Sequence, residues 1–263
     1  MRYFKATLEY DGTDFAGFQW QHGTRTVQGV LEAAITVRTG QAVRLTGAGR
    51  TDAGVHALGQ VISFGIETRI PLDRMALALN SALPPDVTIW RVEEVTEAFS
   101  ARFSASSRVY AYLILNRSLP SALWRRYSAF CSEPLDVEAM QEGARQLLGE
   151  QDFAAFTNEL QADEPTFRDV MRCQVRRIRN FVLVRIEANA FLRGMVRTIV
   201  GTLLEVGQGR RAPGDIPALL ATRDRKMAGP SAPAQGLCLL RVHYGERKQY
   251  GRLRIAAEGA ARD

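Results

Sequence analysis

Three glycines, an arginine, an aspartate and a histidine crowd into one short stretch, Gly47-Ala48-Gly49-Arg50-Thr51-Asp52-Ala53-Gly54-Val55-His56-Ala57. Glycine is tolerated where the backbone needs positive φ or comes close to a ligand, so a loop this rich in it is shaped for a purpose. Asp52 stands at the centre, two residues after Arg50, and both side chains can reach one cleft. A guanidinium beside a carboxylate favours the charged form, which is the form a carboxylate nucleophile requires. The alternative is a plain turn in which Asp52 caps a backbone N–H. No Lys-Ser or Lys-Thr follows the glycines, so this is not a phosphate-binding P-loop. No serine occupies the centre of a G-x-S-x-G elbow either. His56, four residues after Asp52, admits an Asp–His pair of the hydrolase kind, or a structural imidazole near a strand start.

The elements that must hold this loop can be read on both sides of it. Residues 3–10 alternate, with Phe4, Ala6, Leu8 and Tyr10 facing one way, as in a half-buried strand. Thr26 can cap a helix carrying Val27, Val30, Leu31, Ala34 and Ile35, and Gly40 stops it. A short strand is expected from Val43 to Thr46, then the loop, then a strand from Ala57 to Phe64. Pro71 suits a first helical turn, with Leu72, Met75, Ala76 and Leu79 on one face; Val87, Ile89 and Val92 make a further strand. The order is β-α-β-β-α-β, a ferredoxin-like unit.

After a connector over 96–106 the order repeats. It runs through a strand from Arg108 to Leu115, a helix capped by Asp136, a hairpin of Gln174–Arg179 and Phe181–Ala188 around Asn180, and a helix from Phe191 to Val206. A closing strand spans Leu237 to Val242, with an added helix near Asp215–Leu220. The expected class is α+β: two ferredoxin-like halves sharing an extended, mainly antiparallel sheet with a central cleft. The halves are 1–100 and 101–245, and a mobile tail covers 246–263. A site at the interface of the halves suits a cleft to which both contribute.

The chain has 263 residues and a formal net charge of +6, mostly from arginine. A basic balance suits a polyanionic partner. Arg168, Arg172, Arg176, Arg177 and Arg179 crowd one hairpin region, and Arg125 and Arg126 adjoin Trp124 and Tyr127. Guanidinium planes beside aromatic rings suit single-stranded or looped RNA. The aromatic RNP1 pattern of RNA-recognition modules is absent from the sequence. Cys131, Cys173 and Cys238 form neither a C-x-x-C metal pair nor a disulfide framework. With no signal peptide and no membrane-length apolar run, a reducing, cytoplasmic home is expected.

G-A-G-R-T-D-A-G-V-H-A resembles, almost letter for letter, the signature of the tRNA pseudouridine synthase A family. Further matches follow in family order: Tyr10-Asp11-Gly12-Thr13, Arg108-Val109-Tyr110-Ala111-Tyr112, Asn189-Ala190-Phe191-Leu192, Met195-Val196-Arg197 and Ala234-Gln235-Gly236-Leu237. Together they run from about residue 3 to about residue 244.

The resemblance implies two α/β halves around an active cleft, a homodimer, and isomerisation of uridine to pseudouridine at tRNA positions 38, 39 and 40 of the anticodon stem-loop. It makes Asp52 the nucleophile, Tyr110 the ring stacked on the target uracil, and Arg197 the cleft arginine paired with Asp52. Read alone, Tyr110 is a core strand residue before it is a substrate contact, and Arg197 a helical arginine covering apolar surface with its stem. Arg50 either supports Asp52 or fills the space left by a flipped base. No atom is lost in the isomerisation, so no cofactor or metal is required in principle. Three positions depart from the family pattern: Arg193-Gly194 stands where two histidines are frequent, and Gln151 where histidine is. The rival reading is a non-catalytic tRNA-binding protein or chaperone on the same fold.

Overall fold

The computed structural model describes residues 1–159 and 165–245; the tail expected over 246–263 lies outside them. Its elements are β1 (Arg2–Tyr10), α1 (Val27–Thr39), β2 (Thr46–Gly47), β3 (His56–Ile66), α2 (Leu72–Asn80) and β4 (Val87–Val95) in the first half. The second half holds β5 (Ala105–Asn116), β6 (Ala129–Cys131), α3 (Val137–Arg145), β7 (Gly149–Asp152), β8 (Phe167–Ile178), β9 (Phe181–Ala188), α4 (Met195–Gly207), α5 (Ile216–Thr222) and β10 (Leu237–Tyr244).

All ten strands join one open sheet, ordered β4-β1-β3-β10-β5-β9-β8-β7, with β2 attached to β3 and β6 to β5. The sheet is mixed but mostly antiparallel; β10 on β3 and β6 on β5 are the parallel pairs. The sheet therefore belongs to an α+β architecture. In the first half β1 lies between β3 and β4, and in the second half β5 lies between β9 and β10. The two halves meet where β10 runs beside β3 for only Cys238↔His56 and Leu239↔Ala57. That short junction falls at the end of β3 nearest the glycine-rich loop.

The alternation read in residues 3–10 is realised: Phe4, Ala6, Leu8 and Tyr10 are buried, and Tyr3, Lys5 and Thr7 are not. A register shift between Leu8 and Tyr10 ends this regularity beside the loop. Caps act as expected. The Thr26 side chain accepts the Gly29 N–H, Gly40 closes α1 in the left-handed region, and the Asp136 side chain accepts the Ala139 N–H.

Several expected boundaries are corrected. The short strand expected at Val43–Thr46 is instead Thr46–Gly47, inside the loop, because Val61 and Ile62 offer partners to Ala48 and Gly47. β5 begins at Ala105 rather than Arg108, and β8 at Phe167 rather than Gln174, each extended by pairing with a neighbour that the local pattern does not reveal. β6 and β7 are polar or short and were not expected. α4 starts at Met195, not Phe191, since Gly194 in the left-handed region ends the loop before it.

Candidate active site

The loop from Gly47 to Val55 is held from several sides at once. Ala48 N–H donates to the Val61 carbonyl at 2.8 Å, and Gln60 Nε2 donates to the Gly49 carbonyl at 2.8 Å. The Tyr10 hydroxyl and the Thr51 Oγ1 share a hydrogen bond of 2.8 Å. Burial pushes the Tyr10 phenol up to about 12, so that bond stays between neutral groups. Phe18 N–H donates to the Thr51 carbonyl at 3.0 Å. Gly17, next to it, has φ +106, and a Cβ there would lie 2.9 Å from the Thr51 carbonyl oxygen. Only glycine fits that crossing.

Asp52 is left half-exposed between these fixtures, and Arg197 reaches it from the other half of the chain. Arg197 Nη1 donates to Asp52 Oδ2 at 3.1 Å, while its Nε donates to the Ala232 carbonyl at 2.8 Å. The Ala232 N–H returns a bond to the Arg197 carbonyl at 3.0 Å. The guanidinium is thus aimed from both ends. The 229–232 segment that aims it lies tight against α4: a Cβ on Gly201 would stand 1.6 Å from the Pro230 carbonyl oxygen.

Tyr110 comes from the middle of β5 and is 6% exposed, its ring edge-on to Phe191 at 5.2 Å. Burial raises its phenol above the ordinary range, and the nearby Asp52 carboxylate pushes the same way. Tyr112, two residues on, is fully buried and donates its hydroxyl to the Pro233 carbonyl at 2.7 Å. The two tyrosines share a strand face but not a role, since Tyr112 fastens the segment that aims Arg197. Arg50 is exposed, and no hydrogen bond or ion pair holds its side chain among the described residues. The expected pair of His56 with Asp52 is not built; the carboxylate near His56 is Asp11, with Oδ1 3.2 Å from Nδ1. His56 Nδ1 accepts the Gly12 N–H at 3.0 Å, which leaves Nε2 to donate to the Arg126 carbonyl at 2.8 Å.

Two features of the site were not found in the sequence. Arg108 is buried, has no acidic partner among the described residues, and gathers backbone carbonyls instead: Ala48 at 3.0 Å, Asn189 at 2.7 Å and Arg102 at 2.6 Å. Burial pulls its pKa down from the usual arginine value. The signal was its place two residues before Tyr110, on the same strand face. The Ala232 carbonyl is the second feature, and a backbone group in a Pro-flanked segment carries no side-chain signal at all. Among the described residues no cluster of three His, Cys, Asp or Glu could hold a metal ion. No helix there is long and apolar enough to cross a membrane.

The arrangement suits a carboxylate, held by a guanidinium and partly open to solvent, that attacks or deprotonates a bound group. A family model described as tRNA pseudouridine synthase matches residues 6–104 and 144–245. A protein of Brevibacillus brevis named tRNA pseudouridine synthase A is 45% identical over 244 residues, covering 93% of this chain and all of the relative. Proteins of the same name from Methylococcus capsulatus and Moorella thermoacetica are 48% and 46% identical, each covering 91% of this chain and 88% and 98% of their own lengths. On matches of this length and identity, the chain belongs to the tRNA pseudouridine synthase family.

Proposed function

We propose that this protein is an isomerase that converts uridine to pseudouridine at positions 38, 39 and 40 of the tRNA anticodon stem-loop, with Asp52 as its nucleophile and no cofactor. The observation that carries the reading is the half-exposed Asp52 carboxylate held at 3.1 Å by Arg197, with the Tyr110 hydroxyl near enough to feel its charge. The bond from ribose C1′ to uracil N1 breaks, the base turns, and a bond from C1′ to C5 forms. N1 gains a proton and C5 loses one, so the net composition is unchanged. Asp52 serves by attack at C1′ or at C6, or by taking the C2′ proton. Arg197 keeps the carboxylate aimed, and Tyr110 stacks on the uracil and keeps the detached base from leaving. Arg50, exposed and without a partner among the described residues, fills the space vacated by a flipped base, which offsets part of an unstacking cost of a few kcal/mol.

The halves act as two ferredoxin-like domains, 1–100 and 101–245. The flanking of β1 and β5 by their own neighbours supports this. The protein works in the cytoplasm as a homodimer. An apolar hollow of about 470 Å³ beside His56, lined by Leu58, Ala111, Leu113, Leu183 and Tyr127, offers the dimer a contact. Leu58 is more than half exposed within it.

Single-turnover tritium release from tRNA carrying 5-[³H]uridine, with enzyme in excess, tests the chemistry. Wild-type protein should release tritium without cleaving RNA, which a tRNA chaperone or a hydrolase would not do. Asp52→Asn keeps the side chain's shape and should bind tRNA normally, since affinity rests on phosphate contacts elsewhere. Its turnover should be abolished. More than a few per cent of the wild-type rate in Asp52→Asn would remove Asp52 from the nucleophile's place.

A further inference from the structure

Trp20 stands on the loop between β1 and α1 with 47% of its surface exposed. A single exposed ring is ordinary, but the backbone that carries this one is held in place. The Trp20 backbone N–H donates to Gln28 Oε1 at 3.0 Å, and Gln28 Nε2 donates to Glu32 Oε1 at 2.7 Å. The same Glu32 oxygen accepts the Leu45 N–H at 3.1 Å. Arg44, paired with Glu32 at 3.7 Å, carries its guanidinium 5.9 Å from the Trp20 ring centre. His22 meets the ring at a steep angle, 6.4 Å away. Two residues before Trp20, Phe18 donates to the Thr51 carbonyl beside Asp52, and its ring fills the space at Gly47. The indole is therefore in fixed register with the Asp52 loop. The other two tryptophans differ. Trp124 packs on Phe181 at 5.0 Å, and Trp90, on β4, has no cation over it among the described residues.

We propose that Trp20, with Arg44 above it, is a stacking platform for an unpaired nucleobase of the bound RNA, a neighbour of the one that enters the Asp52 site. This rests on the reading of that site as tRNA-modifying. Every nucleobase presents a π face, so an indole held open to solvent accepts any of them. Arg44 adds a cation–π contact to the ring and a positive charge for the adjoining phosphate. An indole needed only for folding would bury its area against the core. Here the network orients the backbone and leaves the ring outward.

The test uses an unmodified tRNA transcript. In a Trp90→Phe, Trp124→Phe protein, Trp20 is the sole emitter, and its fluorescence should be quenched on titration with the transcript. Trp20→Ala in the otherwise unaltered chain should weaken binding about 5- to 150-fold, the range of one lost stacking contact. Trp20→Phe should recover most of that loss, and the defect should fall on Kd and KM rather than on the rate at saturation. Wild-type affinity in Trp20→Ala overturns the proposal, as does emission that ignores the transcript. Quenching and a weakened Trp20→Ala together with no tritium release from wild-type protein would keep the platform and reject the isomerase reading instead.

Discussion

Tyr110 and Tyr112 stand on one face of one strand, and side-chain chemistry alone does not separate them. Their partners do. Tyr112 spends its hydroxyl on the Pro233 carbonyl, whereas the Tyr110 ring lies edge-on to Phe191 and close enough to Asp52 to feel its charge. Tyr110→Phe should therefore fold and hold tRNA while turning over poorly, if its hydroxyl assists a proton step. Tyr110→Leu should also lose stacking worth roughly 1–3 kcal/mol per base. Tritium release and tRNA affinity measured side by side separate the two losses. Wild-type rates in both variants would make Tyr110 a core residue only. His56 is the opposite case: a residue with catalytic chemistry whose ring nitrogens meet the Gly12 N–H, the Arg126 carbonyl and the Asp11 carboxylate, and not Asp52.

At the scale of elements, α4 and the segment packed on it act as a single aiming device. Arg197 leaves α4 toward Asp52, and the Ala232 carbonyl holds the guanidinium from behind. Gly201, one turn further along α4, has no room for a side chain, because a Cβ there would overlap the Pro230 carbonyl at 1.6 Å. Gly201→Ala should push the 229–232 segment outward. Overpacking of this kind costs about 1–3 kcal/mol, against a helix-propensity gain of about 1 kcal/mol. Turnover should fall further than the loss of folded protein explains, because a misplacement near 1 Å can cost about a hundredfold in rate. The check is tritium release per folded molecule, with a melting curve for the variant. A rate that tracks the folded fraction alone would mean that the segment does not aim Arg197.

For the whole molecule, the relevant quantities are charge and surface. A net +6 spread as arginine should make tRNA binding electrostatic. Log affinity should then fall linearly with log salt, with a slope of about 0.7–0.9 per phosphate neutralised. Filter binding between low and physiological salt measures it, and a flat line would count against the charge-based reading. The proposed homodimer makes a separate claim at this scale. Light scattering at micromolar concentration should give twice the chain mass, and a fully active monomer would sink it.

The sequence by itself carried the α+β class, most strands and helices, and the identities of Asp52, Tyr110, Arg197 and Arg50 as candidates. It did so because hydrophobic alternation and glycine placement are local, and because the family resemblance that singles out Tyr110 and Arg197 rests on short contiguous motifs. Tertiary structure alone decided which candidates meet. Asp52 and Arg197 are 145 residues apart in the chain, and their 3.1 Å contact depends on the short β3–β10 junction that joins the halves. The lengths of β5 and β8, the polar strand β7 and the shift of β2 into the glycine loop were also tertiary outcomes. In each of these a neighbour's hydrogen-bonding edge completed a segment whose own pattern was weak. Arg108 and the Ala232 carbonyl escaped the sequence for a related reason. Their work is done on backbone oxygens, which every residue carries and which only the folded chain sorts into partners.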